Sequence, residues 1–410
     1  MKLFTSTLVM LLWLPLFGAA QSDVYMKIQR QGFRPIPIEI EPMRSASSQG
    51  LADEIVNILR DDLEFSGFFM VLKETSAVTG TVRLTGEVER HDNRVTCQGN
   101  LLENPSLQSI FKKSYEASVE SIDRIPHHLA DDIIHYLIGD YGVSTSCIAY
   151  IHKIKPVSDM MLMDYNGKNR RPLVANQAIN LSPAFSPDGR KVIFTSYVSG
   201  NPDLWIYDLQ TQSVQPFTRK QTLATSPAWS PSGKSIAYAM TMGGNADIYT
   251  IPARGGTPRR LTSGPAIDCA PSWSPDDREI VFTSDRSGSP QVYIMAAGGG
   301  NVRRLTFAGS YNDSPVWSPR GDLIAYVSRE SGGFQIYTID ITGENIRRIT
   351  DGRGNHEDPT WSPDGFFIAY ASNKDGRWDI YVTSWDGKRT TRMTQTGGNI
   401  SPAWSPKLTW

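Results

Sequence analysis

Cysteine and histidine are scarce in this chain of 410 residues, which holds three of the first and six of the second. Cys97, Cys147 and Cys269 cannot build a disulfide scaffold, and none belongs to a CxxC pair that would hold a metal. They read as buried small hydrophobes, with a Cys97–Cys147 pair left open in an oxidising compartment. A surplus of charge is also missing. The formal net charge of −1 gives no bulk attraction to nucleic acid or anionic lipid, so neither is expected as a partner. No GxSxG elbow, Walker loop, HExxH or EF-hand loop occurs, and Gly298-Gly299-Gly300 lacks the final glycine of a dinucleotide loop. With two histidines, His152 and His356, in the last two thirds of the chain, little is left for acid–base or transition-metal chemistry there. No catalytic residue, metal site or cofactor is expected.

The one long apolar run is N-terminal. Lys2 precedes an almost wholly apolar stretch from Leu3 to Phe17, and small residues Gly18, Ala19 and Ala20 lead to polar Gln21 and Ser22. This is a signal-peptide layout with cleavage near Ala20. The run is shorter than the ~20 residues a membrane-spanning helix needs and Pro15 interrupts it, so the mature chain is expected to be soluble and not membrane-embedded.

From residue 182 the chain repeats itself. The openings read SPAFSPDG at 182–189, SPAWSPSG at 226–233, APSWSPDD at 270–277, SPVWSPRG at 314–321, DPTWSPDG at 358–365 and SPAWSP at 401–406. Pro183, Pro227, Pro271, Pro315 and Pro359 are 44 residues apart, and Pro402 follows after 43. Each unit continues with aliphatic runs such as SIAYAM (235–240) and DIYTIP (247–252), then RRLT (259–262), separated by Gly-rich turns. Four short strands at this period make one propeller blade. Residues 147–174 supply three strands without an opening, and 401–406 supply an opening without a unit. Joined, they complete a sixth blade and remove the exposed strand edges. Phe185, Trp229, Trp273, Trp317, Trp361 and Trp404 share one register and should pack between blades. Gly189, Gly233, Gly321 and Gly365, with Asp277 in their place once, suit turns that need positive φ.

Ahead of the repeats the pattern is mixed. Leu51, Ile55, Ile58, Leu59 and Leu63 define an amphipathic helix ending at Ser66-Gly67, and FFMVL (68–72) reads as a buried strand. Residues 81–118 alternate as antiparallel strands. Pro126 opens a second helix with Leu129, Ile133, Tyr136 and Leu137 on one face and Gly139 past its end. His128, Asp132 and His135 line the other face, which reads as solvated rather than metal-binding. The expected fold is mainly β: a signal peptide (1–20), a small α/β domain (21–142) and a six-bladed β-propeller (143–410) closed by the C-terminal strand.

Two segments carry a family likeness. ADEIVNILRDDLEFSGFFMVL (52–72) and RIPHHLADDIIHYLIGDYGVSTSCIAYI (124–151), running into the SPDG repeats, resemble the TolB family. IPIEIEPM (36–43) departs from it at Glu39 and Met43, where the family usually ends an apolar strand in Pro-Phe. The resemblance implies a non-enzymatic periplasmic scaffold of the Tol-Pal system. Its propeller would bind the lipoprotein Pal and its N-terminal region TolA, in support of envelope integrity and outer-membrane constriction at division. A monomer is expected.

In a propeller, the loop before each innermost strand and the hairpin between the middle strands emerge at one end of the channel. Those loops vary here while the framework repeats. The resemblance places Pal at this end, at Asn180, Thr225, Asp268, Tyr311, Asn312, Asp313, His356, Glu357 and Asn399, some of which equally suit turns. The mature N-terminus, Gln21, Ser22, Asp23, Val24 and Tyr25, reads as an extended arm able to add to a partner's sheet. The alternatives are a propeller scaffold with other envelope partners, or a propeller lyase or hydrolase.

Overall fold

The computed structural model describes residues 34–72, 80–218 and 223–408. The signal segment and the arm residues Gln21 to Tyr25 lie outside them.

The first part pairs a five-stranded sheet with two helices. Strand β1 (Ile36–Ile40) lies between β2 (Phe69–Leu72) and β3 (Val82–His91), parallel to both, and β4 (Arg94–Glu103) and β5 (Gln108–Ser118) continue the sheet antiparallel. Helix α1 (Gln49–Ser66) buries Ala52, Ile55, Val56, Leu59 and Leu63, residues spaced three or four apart on one face. It ends where Gly67 turns left-handed at φ 71°, its N–H donating to the Glu64 carbonyl. The atypical strand residues have local explanations. Glu39 is buried but pairs with Arg83 at 3.0 Å, and Met43 fills the space against Gly86 and Cys97.

Helix α2 (Arg124–Ile138) begins two residues before Pro126 and ends at Gly139, φ 75°. Its buried face differs from the expected one. Leu129 and Ile133 are inside, but Tyr136 is 46% exposed and Leu137 only half-buried. The buried arc runs instead through Ile125, Ala130, Asp131, Ile134 and Ile138 as well. The helix packs on α1 and β5 and meets the propeller too, so burial covers more than one stripe.

Six four-stranded antiparallel sheets follow, as expected. Blade I is formed by β6 (Cys147–Ile154), β7 (Val157–Asp164) and β8 (Arg171–Val174), with the last strand, Asn399–Trp404, as its innermost member. Blades II to VI span Asn180–Pro216, Ala224–Arg260, Asp268–Arg304, Asn312–Arg348 and His356–Arg392. Trp404 pairs with Ile148 and Asn399 with His152, which closes the ring. The repeated aromatics do pack between blades: Trp273 and Trp361 donate their indole N–H groups to Ala228 and Val316 carbonyls in the preceding blades. One threonine in each of blades II to VI adds a second device. Thr218, Thr262, Thr306, Thr350 and Thr394 accept from the backbone N–H fourteen residues earlier, at 2.9 to 3.0 Å, tying the third strand to the segment leaving the fourth.

The first part docks on the ring at the end bearing the SPDG turns, beneath blades I and VI. Phe65 packs on Tyr165 and Phe367 at centroid distances of 4.9 and 5.0 Å, and Phe68 on Phe366 at 5.1 Å. Arg320 pairs with Asp140 at 2.7 Å. One buried cluster runs through both parts, from Ile38 and Leu59 to Ile148, Tyr165, Phe367 and Trp404. All three cysteines are free thiols; Cys97 and Cys147 are buried and Cys269 half-buried.

Candidate functional site

Each innermost strand starts at the end of the channel opposite this docking surface, since Asn180 pairs with Ser196 while Phe185, near the SPDG turn, pairs with Val192. Three successive positions of these strands repeat around the mouth.

The first position holds Asn180, Ala224, Asp268, Asn312, His356 and Asn399. The five polar residues among them were expected to meet a partner, yet none is more than 1% exposed. The three asparagine side chains serve the joints between blades. Asn312 donates to Gln291 Oε1 at 2.8 Å, Asn399 to Asp379 Oδ1 at 2.8 Å and Asn180 to the Ser158 carbonyl at 2.7 Å. Asp268 is held within its own blade, accepting from Arg286 Nη2 with both carboxylate oxygens at 3.1 Å. His356 differs: neither ring nitrogen has a hydrogen-bond partner, and the ring lies 5.6 Å from that of Tyr370. Burial, with the Lys374 and Arg348 charges behind it, lowers its pKa to about 4.

The second position, Leu181, Thr225, Cys269, Asp313, Glu357 and Ile400, is half-buried in the channel wall. Thr225, Asp313 and Glu357 are therefore less enclosed than the residues that precede them. Asp313 accepts from Thr283 Oγ1 at 2.8 Å and from Tyr311 Oη at 3.1 Å. The third position, Ser182, Ser226, Ala270, Ser314, Asp358 and Ser401, is left-handed in every blade, with φ between 46° and 55°. At this bend the register of the inner strand shifts, as at a β-bulge. Asp358 accepts from Ser401 N and Oγ at 3.1 and 2.8 Å. Burial raises the carboxyl pKa of both Glu357 and Asp358; each also feels Asp313, and Lys153 offsets part of the shift. One side of the lumen is thus acidic.

Outside these positions lies a set of side chains that, Tyr311 apart, the sequence reading did not single out. Ile179, Leu223 and Ile267 immediately precede the inner strands of blades II to IV and are 40%, 37% and 51% exposed. Tyr311 continues the series in blade V, half-buried against Phe334. The hairpin tips add exposed Ile154, Val198 and Met242, and the next loop adds Phe307, 73% exposed beneath the Arg304 guanidinium. The signal was present at positions 179, 223, 267 and 311, 44 residues apart. An apolar arc therefore faces an acidic pole across one mouth, a surface suited to a protein segment with apolar side chains and a basic group.

The histidine stripe of α2 is otherwise engaged. Asp132 accepts from Lys113 Nζ at 2.6 Å and Tyr115 Oη at 2.7 Å, and His135 stacks on Tyr141. Its neighbour His127 stands with Asp123 and Asp164 at the junction with blade I, their ligand-type atoms within 4.8 Å of one another. Among the described residues no helix is long and apolar enough to cross a membrane.

Comparison with known proteins agrees with this architecture. The TolB β-propeller domain family matches residues 135–408, and the TolB amino-terminal domain family matches residues 24–94. The crystal structure of TolB from Acinetobacter baumannii superposes with a TM-score of 0.79 at 27% identity, over 91% of this chain and 97% of that one. The Tol-Pal system protein TolB of Anaeromyxobacter sp. (strain K) is 32% identical over 208 residues, 46% of this chain and 48% of its own. That of Geobacter sulfurreducens is 37% identical over 192 residues, 42% of this chain and 44% of its own. The chain spans about half the length of the curated relatives it matches. With its propeller matched over residues 135–408, the chain belongs to the TolB β-propeller family.

Proposed function

We propose that this protein is a periplasmic, non-catalytic scaffold of the Tol-Pal system, working as a monomer. Its propeller mouth binds the lipoprotein Pal and its N-terminal region, the arm from Gln21 to Tyr25 included, binds TolA, so that the protein serves envelope integrity and constriction at division. The division of labour follows the two parts of the chain, 21–142 and 143–410, with a signal peptide removed before residue 21.

The observation that carries the reading is the exposed apolar arc Ile179, Leu223 and Ile267 at the end of the ring left free by the first domain. Exposed apolar side chains set side by side and rimmed by polar groups are the usual mark of a protein-binding face. Glu357 and Asp358, held in a low-dielectric lumen, would receive a basic group of the partner. Of the residues named from the sequence, the half-buried Thr225, Tyr311, Asp313 and Glu357 would touch the partner. Asn180, Asp268, Asn312, His356 and Asn399 would act by holding the strands beneath.

Titration of purified Pal into the mature protein tests this. Binding should occur with the wild type and fall at least tenfold in the Ile179→Asp, Ile267→Asp double variant, while removal of residues 21–25 should weaken TolA alone. Absence of Pal binding by the wild type would overturn the reading.

A further inference from the structure

We propose that Asp123, His127 and Asp164 form a binding site for a divalent transition cation of the Zn²⁺ class, which would staple the first domain to blade I. Asp123 is the N-cap of α2 and His127 lies four residues on, so the two share a face of its first turns. Asp164 ends β7, across the domain junction. One ligand-type atom from each lies within 4.8 Å of the other two. Donors around a tetrahedral Zn²⁺ stand roughly 3.4 Å apart, given metal–ligand bonds of about 2.1 Å. Side-chain rotation over about an ångström closes that gap.

The surroundings are those of a built site. His127 Nδ1 lies 2.7 Å from the Asp62 carboxylate, which is 1% exposed and also accepts from the Tyr165 hydroxyl. An imidazole oriented through one nitrogen by a buried carboxylate offers the other to a metal, the usual outer-shell arrangement of a ligating histidine. Asn169 Nδ2 donates to Asp164 at 2.6 Å and approaches Asp123 at 3.4 Å, linking the two remaining ligands. The three line a cavity of about 370 Å³ with Ser144 and Thr145, which leaves room for a water in a fourth position.

The donor set selects the ion. One imidazole and two carboxylates suit Zn²⁺ and its neighbours, whereas Ca²⁺ takes six to eight oxygens and Mg²⁺ keeps an octahedral, mostly aqueous shell. Two ligands come from α2 and one from the propeller, so occupancy would stiffen the relation between the two parts and add the binding free energy to their association.

The test uses the full mature chain without a histidine tag, stripped by chelator and returned to metal-free buffer. Calorimetric titration with ZnCl₂ should show one site, and saturating Zn²⁺ should raise Tm on the order of 5 °C. Co²⁺ should give the visible ligand-field absorption of a four-coordinate ion. Asp123→Asn and Asp164→Asn keep the shape of two partly exposed side chains, so their metal-free melting should match the wild type while Zn²⁺ uptake, the Tm rise and the Co²⁺ spectrum disappear. No uptake by the wild type, or uptake untouched by both substitutions, would refute the site; an equal Tm rise with Ca²⁺ would refute its class.

Discussion

Trp404 donates its indole N–H to Ser146 Oγ at 2.8 Å, although the two residues are 258 positions apart. Around this contact the end of the chain is fastened to the start of the propeller. The Cys147 N–H donates to Ser405 Oγ at 2.9 Å, the Ser405 N–H to the Cys147 carbonyl at 2.8 Å and the Leu408 N–H to the Thr145 carbonyl at 3.1 Å. Trp404 is 7% exposed and faces Phe367 of blade VI, so it also seals the joint between first and last blades. Deleting residues 401–410 strips the inner strand from blade I and bares two strand edges. The truncated chain should lose its cooperative thermal transition. Trp404→Ala, which keeps the strand but empties the joint, should cost about 3–5 kcal/mol in denaturant unfolding. A melting curve unchanged by the deletion would contradict closure.

His356 occupies a position where three other blades have asparagine. Those asparagines hydrogen-bond across the blade joint, whereas both His356 nitrogens stay unpaired. Because the folded pKa is depressed to about 4, the protonated ring is tolerated less in the native state than in the unfolded chain, where it ionises near 6.5. Stability from this residue is therefore complete above pH ~6.5 and is lost as pH falls toward 4, by up to about 3 kcal/mol. In His356→Asn, which restores the residue of the other joints, unfolding free energy should fall less steeply over that window and should be at least equal at pH 7. A wild-type and a variant curve of identical slope between pH 4 and 6.5 would rule out the buried neutral imidazole.

The ring was legible in the sequence because its information is periodic. Every 44 residues the same prolines, aromatics and turn residues recur, and the orphan opening at 401–406 has one place to go. The mouth was legible only as a location. Loop chemistry suggested that Asn180, Asn312 and Asn399 face a partner, but each begins a strand, where a short amide bridges two blades and is buried. The surface that is exposed, Ile179, Leu223 and Ile267, sits one residue earlier, and period alone does not tell a packed aliphatic from an exposed one. The burial of α2 went unread for a related reason: its second buried face answers to blade I and its surroundings, which are remote in the chain. His127 and Asp164 meet by the same long-range docking, with no spacing rule connecting them.

If the mouth is the partner face, substitutions there should separate binding from stability. Val198 and Met242 stand on hairpin tips at 44% and 61% exposure, Met242 giving up one weak contact from the Tyr249 hydroxyl to its sulfur at 3.7 Å. Val198→Asp and Met242→Asp should change unfolding free energy by no more than about 0.5 kcal/mol. Pal affinity, measured by calorimetry, should drop tenfold or more if the apolar arc contributes a contact worth about 1.4 kcal/mol. Unchanged affinity in the double variant would move the partner elsewhere on the ring.

The same turn residue carries opposite electrostatics in different blades. Asp188 and Asp276 sit in exposed SPDG-type turns, where Ser186 and Ser274 hydroxyls and nearby backbone N–H groups hold the carboxyls below their usual range, for Asp188 against some burial. Asp364 makes the corresponding contacts with Ser362 and the Phe366 N–H, but the first domain covers its turn. Burial, with Asp140 and Asp131 adding to it, raises its pKa to about 7. Its sign is the reverse of that at His356. The folded state keeps the proton while the unfolded chain gives it up near 3.8, so the contribution is complete below that pH and is lost as pH rises through about 7. Asp364→Asn removes the ionisation and can still accept from the Phe366 N–H. Relative to the wild type, its unfolding free energy should rise from pH 4 to 7 and stay level above, as chemical denaturation across that range would report. A difference independent of pH would show that the carboxyl is ionised beneath the first domain and that the junction admits water.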